Sequence, residues 1–323
     1  MVIGALYQDE WKTAESRVYV MRRREFFLAA SVCVTMGAIG KPLQPVLGID
    51  PFERPKPGKL RLSLAAYSLR KYLAPAKGEA KKMDLFEFVD FCYQQGIPGT
   101  ELTSYYFPEQ VTTEYLLKLK KHCHLRGMTI SGGAIRNDFC QLNEKKLEAD
   151  LLHTKMWVDH YAILGAPAIR IFAGTQPKDE EPSVTLKRCA KHCETAAKYA
   201  AEKGLFLALE NHGGVTAKAE GLLEIVRQVN APGFGVNFDS GNFQSTDDPY
   251  AELAQIAPYA VNAQIKVDIY PGGQHQPTDL AKVLNILRDA GYSGWVALEY
   301  EAKEEPLEAI PRYLDQLRKL IDA

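Results

Sequence analysis

The chain has 323 residues, 46% of them hydrophobic and 24% charged, with a formal net charge of -1. That is globular composition, with length enough for one large core. No long basic run or charge excess is present to serve a nucleic acid or an anionic membrane surface, so neither is expected as a partner.

In chain order, the first feature is Arg22-Arg23-Arg24-Glu25-Phe26-Phe27-Leu28, which leads into the stretch AASVCVTMGAIG. Two arginines, one further residue and two apolar ones followed by a weakly apolar run read as a twin-arginine export signal, and a periplasmic location is expected. Residues 1–20 are polar and unlike a signal n-region, which favours Met21 as the true start, with Ala38-Ile39-Gly40 as the small-x-small cleavage candidate. A basic tail ahead of a surface helix is the bland alternative. The apolar stretch falls short of the ~20 residues that a membrane span needs, so no stable span is expected. Residues 41–59 carry Pro42, Pro45, Pro51, Pro55 and Pro57 and read as an extended lead-in.

From residue 60 onward, short apolar or β-branched runs alternate with segments of helical period. The strand candidates are 61–67, 99–103, 128–133, 168–173, 205–210, 234–239, 262–267 and 295–300. Asp84 is placed to cap a helix that halts at Gly96, and Thr112 or Thr113 one that halts at Gly127. Residues 144–164 form a long helix ending at Gly165, and Ser183 opens another ending at Gly204. Further helices are expected over 217–229, 248–257, 278–290 and 305–321. Eight βα units over 60–323 predict one α/β domain, a (β/α)8 barrel. An open doubly wound sheet is the rival, but no GxGxxG or GxxxxGK[ST] follows any strand.

Past residue 40 the cysteines are Cys92, Cys123, Cys140, Cys189 and Cys193, an odd number at irregular spacing and therefore no disulfide framework. Cys189 and Cys193, at i and i+4 on one helix, read as buried thiols rather than a zinc pair.

Four polar residues close otherwise apolar runs: Glu210 in LFLALENHG, Asp239 in FGVNFDSGN, Gln264 in AVNAQIKVD and Glu299 in GWVALEYEA. A carboxylate in such company is costly to bury unless a cation or hydrogen-bond donors compensate it. One alone reads as a strand-end salt bridge. Three at equivalent places in successive units, with an amide at the fourth, read as an all-oxygen metal site suited to Mn2+ or Mg2+. Lys266 has the strand parity to face the same way, its alternative being a pair with Asp268.

Other candidates carry weaker signals. His212, beside the fifth strand end, is a candidate general acid or substrate partner, whereas His122, His124, His153, His160 and His192 fall in helices. Arg170, inside AIRIFAG, is a costly inward charge unless paired, with Glu101 or Glu210 as partner, and is otherwise a substrate contact; Glu101 and Arg136 are further candidates for substrate contact. Tyr67, Tyr105, Tyr106 and Phe107 are placed to wall a pocket or simply to pack. The PGG at 271–273 is either a phosphate cradle or, more simply, a turn.

With ALENHGG, NFDSGN, QIKVD and ALEYE in this order on strands five to eight, the chain resembles the xylose isomerase-like TIM-barrel superfamily, the sugar phosphate isomerase/epimerase group, over residues 60 to 323. The resemblance implies that Glu210, Asp239, position 264 and Glu299 bind one divalent metal. Position 264 is glutamine where such proteins have histidine, so its carbonyl oxygen is the expected ligand. In ketose epimerases of the group, a glutamate and a histidine that grip the sugar fall where this chain has Thr216 and Asn242, and Asn242 is taken as a substrate contact. The expected activity is a metal-dependent isomerisation or epimerisation of a carbohydrate through an enediolate, with Glu210 and Glu299 moving the proton and His212 and Lys266 assisting. A lyase or dehydratase acting on keto-sugars or keto-glycosides is the runner-up. A non-catalytic carbohydrate-binding barrel is the third reading, and an endonuclease the least favoured.

Overall fold

The computed structural model describes residues 48–74 and 81–323. The twin-arginine signal, the Met21 start, the cleavage site and the first part of the lead-in lie outside these residues. Eight parallel strands close into a barrel in chain order: β1 (Leu60–Ala65), β2 (Gly99–Thr103), β3 (Thr129–Ala134), β4 (Ala168–Ile171), β5 (Phe206–Glu210), β6 (Phe234–Asp239), β7 (Ala260–Ile265) and β8 (Gly294–Leu298). A helix follows each: α1 (Leu85–Gln94), α2 (Thr113–Leu125), α3 (Glu144–Leu164), α4 (Pro182–Glu202), α5 (Ala219–Val226), α6 (Pro249–Ile256), α7 (Leu280–Asp289) and α8 (Pro306–Asp322). This is the expected (β/α)8 architecture, and the open doubly wound alternative is overturned by barrel closure.

Local chemistry sets the helix ends. Asp84 accepts from the Glu87 amide while Glu87 reaches back to the Asp84 amide, a reciprocal capping box at the start of α1. Thr112, Asn143, Asp248 and Asp279 cap α2, α3, α6 and α7 through their side-chain oxygens. Gly165 stops α3 in the left-handed region, at φ 83.

Several strands end earlier than the apolar pattern implies. β1 gives way after Ala65 to a 3-10 turn over Ala66–Leu69, so Tyr67 stands on that turn and not on a strand. β7 ends at Ile265 and β8 at Leu298, leaving Lys266 and Glu299 just beyond the backbone ladder. Polar side chains there face the open end of the barrel, which interrupts strand pairing where the apolar run alone gives no reason to stop.

Strand alternation divides two interiors. Leu62, Leu64, Ile169, Leu207, Leu209, Val236, Phe238, Val296 and Leu298 belong to the apolar layer between barrel and helices, together with Phe88, Leu116, Trp157, Val226, Val283 and Leu314. Each such burial stabilises the fold by roughly 1.5–3 kcal/mol. The residues of opposite parity line the barrel axis, and many are polar: Ser63, Ser131, Arg170, Asn237, Asn262 and Gln264 are all buried. Gly133 has no side chain because the Tyr161 ring lies where a Cβ would be, with the nearest ring carbon 2.3 Å away. The residues of the lead-in that are described bind the rim where strands begin: Arg54 donates to the Ala260 carbonyl at 2.7 Å and lies over the Phe52 ring. All five described cysteines are free and buried, Cys189 and Cys193 as read from their spacing. Among the described residues no helix is long and apolar enough to cross a membrane.

Candidate active site

The register places the acidic strand ends at one level. Glu210 stands opposite Asn237, Asp239 opposite Gln264, and Gln264 opposite Ala297, two residues before Glu299. One carboxylate oxygen from each of Glu210, Asp239 and Glu299 can be chosen so that all three lie within 4.8 Å of one another. Above them opens a cavity of about 660 Å3, walled by Tyr67, Tyr105, Phe172, His212 and Tyr270 and reached by Arg136, Asn242 and Lys266.

Burial dominates the electrostatics. Desolvation pushes Glu210, Asp239 and Glu299 each up to about 7, against the pull of Arg170 on Glu210 and of Lys266 on the other two; mutual repulsion adds to the rise. Burial opposes the charge on Lys266, but Asp239, Glu299 and Glu301 outweigh it and raise its pKa. Its ammonium lies 3.4 Å from Asp239 Oδ2, 3.3 Å from Glu299 Oε2 and 2.6 Å from Glu301 Oε1. Lys266 therefore faces inward, and Asp268, its alternative partner, pairs with His275 instead.

Arg170 resolves in favour of Glu210, at 3.2 Å. It also donates to the Ile135 carbonyl at 2.8 Å and covers the Phe172 ring, so its charge is spent inside the wall. Asn242 bridges the two sides of the site, donating to Glu210 Oε1 at 3.2 Å and accepting from Lys266 at 3.3 Å. His212 packs on Phe172 with ring centroids 4.4 Å apart; desolvation, then Arg170 and Lys266, lower its pKa and favour the neutral ring.

Two expectations are corrected. Glu101 is not a substrate contact: it is fully buried on the barrel axis and takes no part in the cavity wall. Its two oxygens accept from Asn262 Nδ2 at 2.8 Å and Gln264 Nε2 at 2.6 Å. Asn262 also donates to Asn237 Oδ1 at 2.8 Å, and Asn237 donates to Gln264 Oε1 at 2.6 Å, which closes a ring of four side chains from β2, β6 and β7. The ring fixes Gln264. An ionised Glu101 only accepts, so the glutamine turns its N–H toward it and toward Glu299 Oε1, 3.5 Å away. The carbonyl oxygen expected as a ligand accepts from Asn237 instead.

The PGG segment is a turn. Gly272 and Gly273 take φ of 57 and 77, and their amides are already used by the Thr246 and Tyr270 carbonyls, which leaves no cradle for a phosphate. Tyr106 and Phe107 pack in the core, and of that aromatic run only Tyr105 reaches the cavity.

Asn211, Asn237, Asn262 and Glu301 escaped the sequence reading. Asn237 and Asn262 precede Asp239 and Gln264 by two residues, and that shared parity was the available signal. Asn211 clamps Asp239 by exchanging hydrogen bonds of 2.9 Å with its backbone amide and carbonyl. Thr216 accepts from the His212 amide and donates to the Glu210 carbonyl, a loop brace in place of a sugar contact.

The profile of the xylose isomerase-like TIM barrel family matches residues 80–320. The chain belongs to that family. Among solved structures it is similar to D-psicose 3-epimerase from Clostridium cellulolyticum H10 in complex with D-tagatose, with a TM-score of 0.65, 16% identity, and 81% of this chain and 99% of that one covered. It is likewise similar to apo 3-keto-D-glucoside 4-epimerase from E. coli, with a TM-score of 0.64, 14% identity, and 81% and 100% covered. A third similar structure is the IolI protein with a bound zinc atom, with a TM-score of 0.65, 17% identity, and 80% and 96% covered. At such identities the likeness establishes the fold. No curated protein sequence matches the chain.

The donor set fits a divalent cation. Glu210 Oε2 and Asp239 Oδ2 are buried and accept no hydrogen bond, meeting only the ion-pair contacts of Arg170 at 3.2 Å and Lys266 at 3.4 Å. Among the described residues, four carboxylates, counting Glu301, pair with the two cations Arg170 and Lys266, an excess of two negative charges when all are ionised. The groups that would hold the ion are the carboxylates of Glu210, Asp239 and Glu299, without Gln264.

Proposed function

We propose that the protein is a metal-dependent sugar isomerase or epimerase that moves a proton at a carbon beside a carbonyl, through an enediolate. The observation that carries this reading is the convergence of Glu210, Asp239 and Glu299, with two buried oxygens that accept no hydrogen bond, at the base of a polar cavity. A divalent ion held there would polarise the substrate carbonyl and acidify the neighbouring C–H. The all-oxygen set favours Mn2+ or Mg2+ over softer ions.

The chain's own groups supply the rest. Glu210 and Glu299 reach the site from different strands, so that one can take the proton from the substrate carbon and the other return it. The Lys266 ammonium stabilises negative charge that develops on substrate oxygen. Asn242 fixes the Glu210 carboxylate, and neutral His212 is placed on the cavity wall to exchange a hydrogen bond with a hydroxyl. Tyr67, Phe172 and Tyr270 supply apolar faces for the sugar ring.

Incubation with Mn2+ or Mg2+ in D2O across a panel of ketoses, aldoses and 3-keto-glycosides is the test. Deuterium uptake is expected in at least one substrate, and Glu210→Gln and Glu299→Gln should each abolish it while the circular dichroism spectrum is kept. Retained exchange in both variants sinks the assignment. Export through the twin-arginine route belongs to the same proposal. Replacing Arg23 and Arg24 with lysine should hold the protein in the cytoplasm, and unchanged export on fractionation dismisses that part.

A further inference from the structure

A second cavity, of about 940 Å3, lies beside the first. The loops after β2 and β3 supply one wall and Ala149, Asp150, His153 and Trp157 of α3 the other. Tyr105, Arg136, Asn137 and Asp138 line both cavities, so the two share a boundary. The central space alone falls in the range that holds a whole small ligand. One sugar ring leaves the neighbouring space unaccounted for.

The second cavity has the chemistry of a hydroxylated ring site. Arg136 is exposed at the junction, its guanidinium 5.3 Å from the Tyr105 ring centroid, and it makes no ion pair with any described residue. Arg170, the other arginine of the central cavity, is by contrast consumed by Glu210 and the Ile135 carbonyl. On α3, Asp150 uses only Oδ2 in hydrogen bonds, to the Asp138 amide and the Gln141 side chain, which leaves Oδ1 as an acceptor. His153, half-buried in the same wall, is pushed by desolvation toward the neutral ring, which carries one donor and one acceptor. Trp157, 5% exposed, contributes an aromatic surface and an indole N–H that is buried without a partner. Donors, acceptors and an aromatic wall, with one arginine and the two carboxylates Asp138 and Asp150, are what carbohydrate rings satisfy and what a purely apolar ligand does not.

We propose that the substrate is a glycoside, with its reacting ring over the acidic triad and a second sugar ring in the cavity between Tyr105 and α3, the glycosidic link passing Arg136. This rests on the isomerase or epimerase reading and narrows its substrate class from a free monosaccharide to a two-ring sugar.

Ala149 is exposed on α3 in the lining of the second cavity and takes no part in the acidic site, so Ala149→Trp fills that space without touching the triad. Deuterium incorporation would be compared for a keto-monosaccharide and its glucoside. Wild type should show kcat/KM at least about ten-fold higher for the glucoside, Ala149→Trp should erase that advantage with the monosaccharide rate unchanged, and His153→Ala should raise KM for the glucoside alone. Equal kcat/KM for the two sugars, or an unaltered preference in Ala149→Trp at unchanged Tm, overturns the second subsite and leaves the enolisation chemistry standing. If no sugar exchanges deuterium, the functional reading itself fails, and calorimetric titration with cellobiose and glucose decides the subsite separately. Tighter cellobiose binding that Ala149→Trp removes supports it, and indistinguishable binding of the two sugars rejects it.

Discussion

Two groups of buried carboxylates share the barrel axis and differ in how their charge is met. Glu101, on the floor, has both oxygens bound by the amides of Asn262 and Gln264. Glu210, Asp239 and Glu299, at the mouth, bring carboxylate oxygens within 4.8 Å of one another, and two of their buried oxygens accept no hydrogen bond, meeting only the ion-pair contacts of Arg170 and Lys266. Desolvation raises all four to about 7, so burial and a displaced pKa do not separate them. The kind of partner does: two amide hydrogen bonds hold Glu101, whereas the mouth carboxylates crowd one another and meet Arg170 and Lys266 through looser ion pairs. A satisfied buried carboxylate holds structure together, whereas an unsatisfied cluster is poised for a ligand or a proton.

Removing charge from each region breaks the comparison most sharply. Glu299→Gln should lower kcat by roughly 10²–10⁴-fold, the range for a lost acid or base, with a Tm at or above wild type once a repelling charge is gone. Glu101→Gln should do the reverse. It forces one amide N–H against another, lowering stability by about 1–3 kcal/mol in urea titration with a smaller effect on rate.

A pH series in chelator sharpens the same contrast. A carboxylate raised from about 4.5 to about 7 holds more protons folded than unfolded over that window, so its contribution to stability is complete below pH 4.5 and is lost as pH rises to 7. Metal-free protein should therefore melt at lower temperature at pH 7.5 than at pH 5. Mn2+ at 100 times its Kd should return about 2.7 kcal/mol at the higher pH, and Glu299→Gln should blunt that gain. A Tm that rises with pH in the metal-free protein contradicts the account.

A smaller effect is expected at Gly241. A Cβ there meets Lys266 Cδ at 2.8 Å and the Asp268 carbonyl at 2.9 Å. Gly241→Ala should press on both the Lys266 stem and the Asp268 carbonyl, lowering Tm and reducing kcat several-fold as the ammonium shifts from Asp239 and Glu299.

The barrel was legible because period-2 apolar runs and period-3.6 segments alternate eight times, with capping residues such as Asp84 and Thr112 where helices begin. The triad was legible because a carboxylate ending an apolar strand has no hydrophobic reason to be there. Parity, however, reports which face a residue takes and not its depth or the direction of its amide. Glu101 points inward like Glu210 but lies on the floor, and Gln264 has its orientation set by Asn237 and Asn262, which a strand-by-strand reading does not connect. The cavity beside α3 was illegible for a related reason, since loops after two strands and one helix face build it together.

The ring on the barrel floor also bears on the order of folding. Asn262 and Glu101 are 161 residues apart in sequence, so their bond forms only after nearly every βα unit is in place. Contacts of such separation carry a large closure entropy and come late, after the transition state has buried most of its surface. The ring then acts as a latch on the completed barrel. Weakening it should leave the refolding rate almost untouched and speed unfolding, which gives the polar interior a part in how long the native state persists.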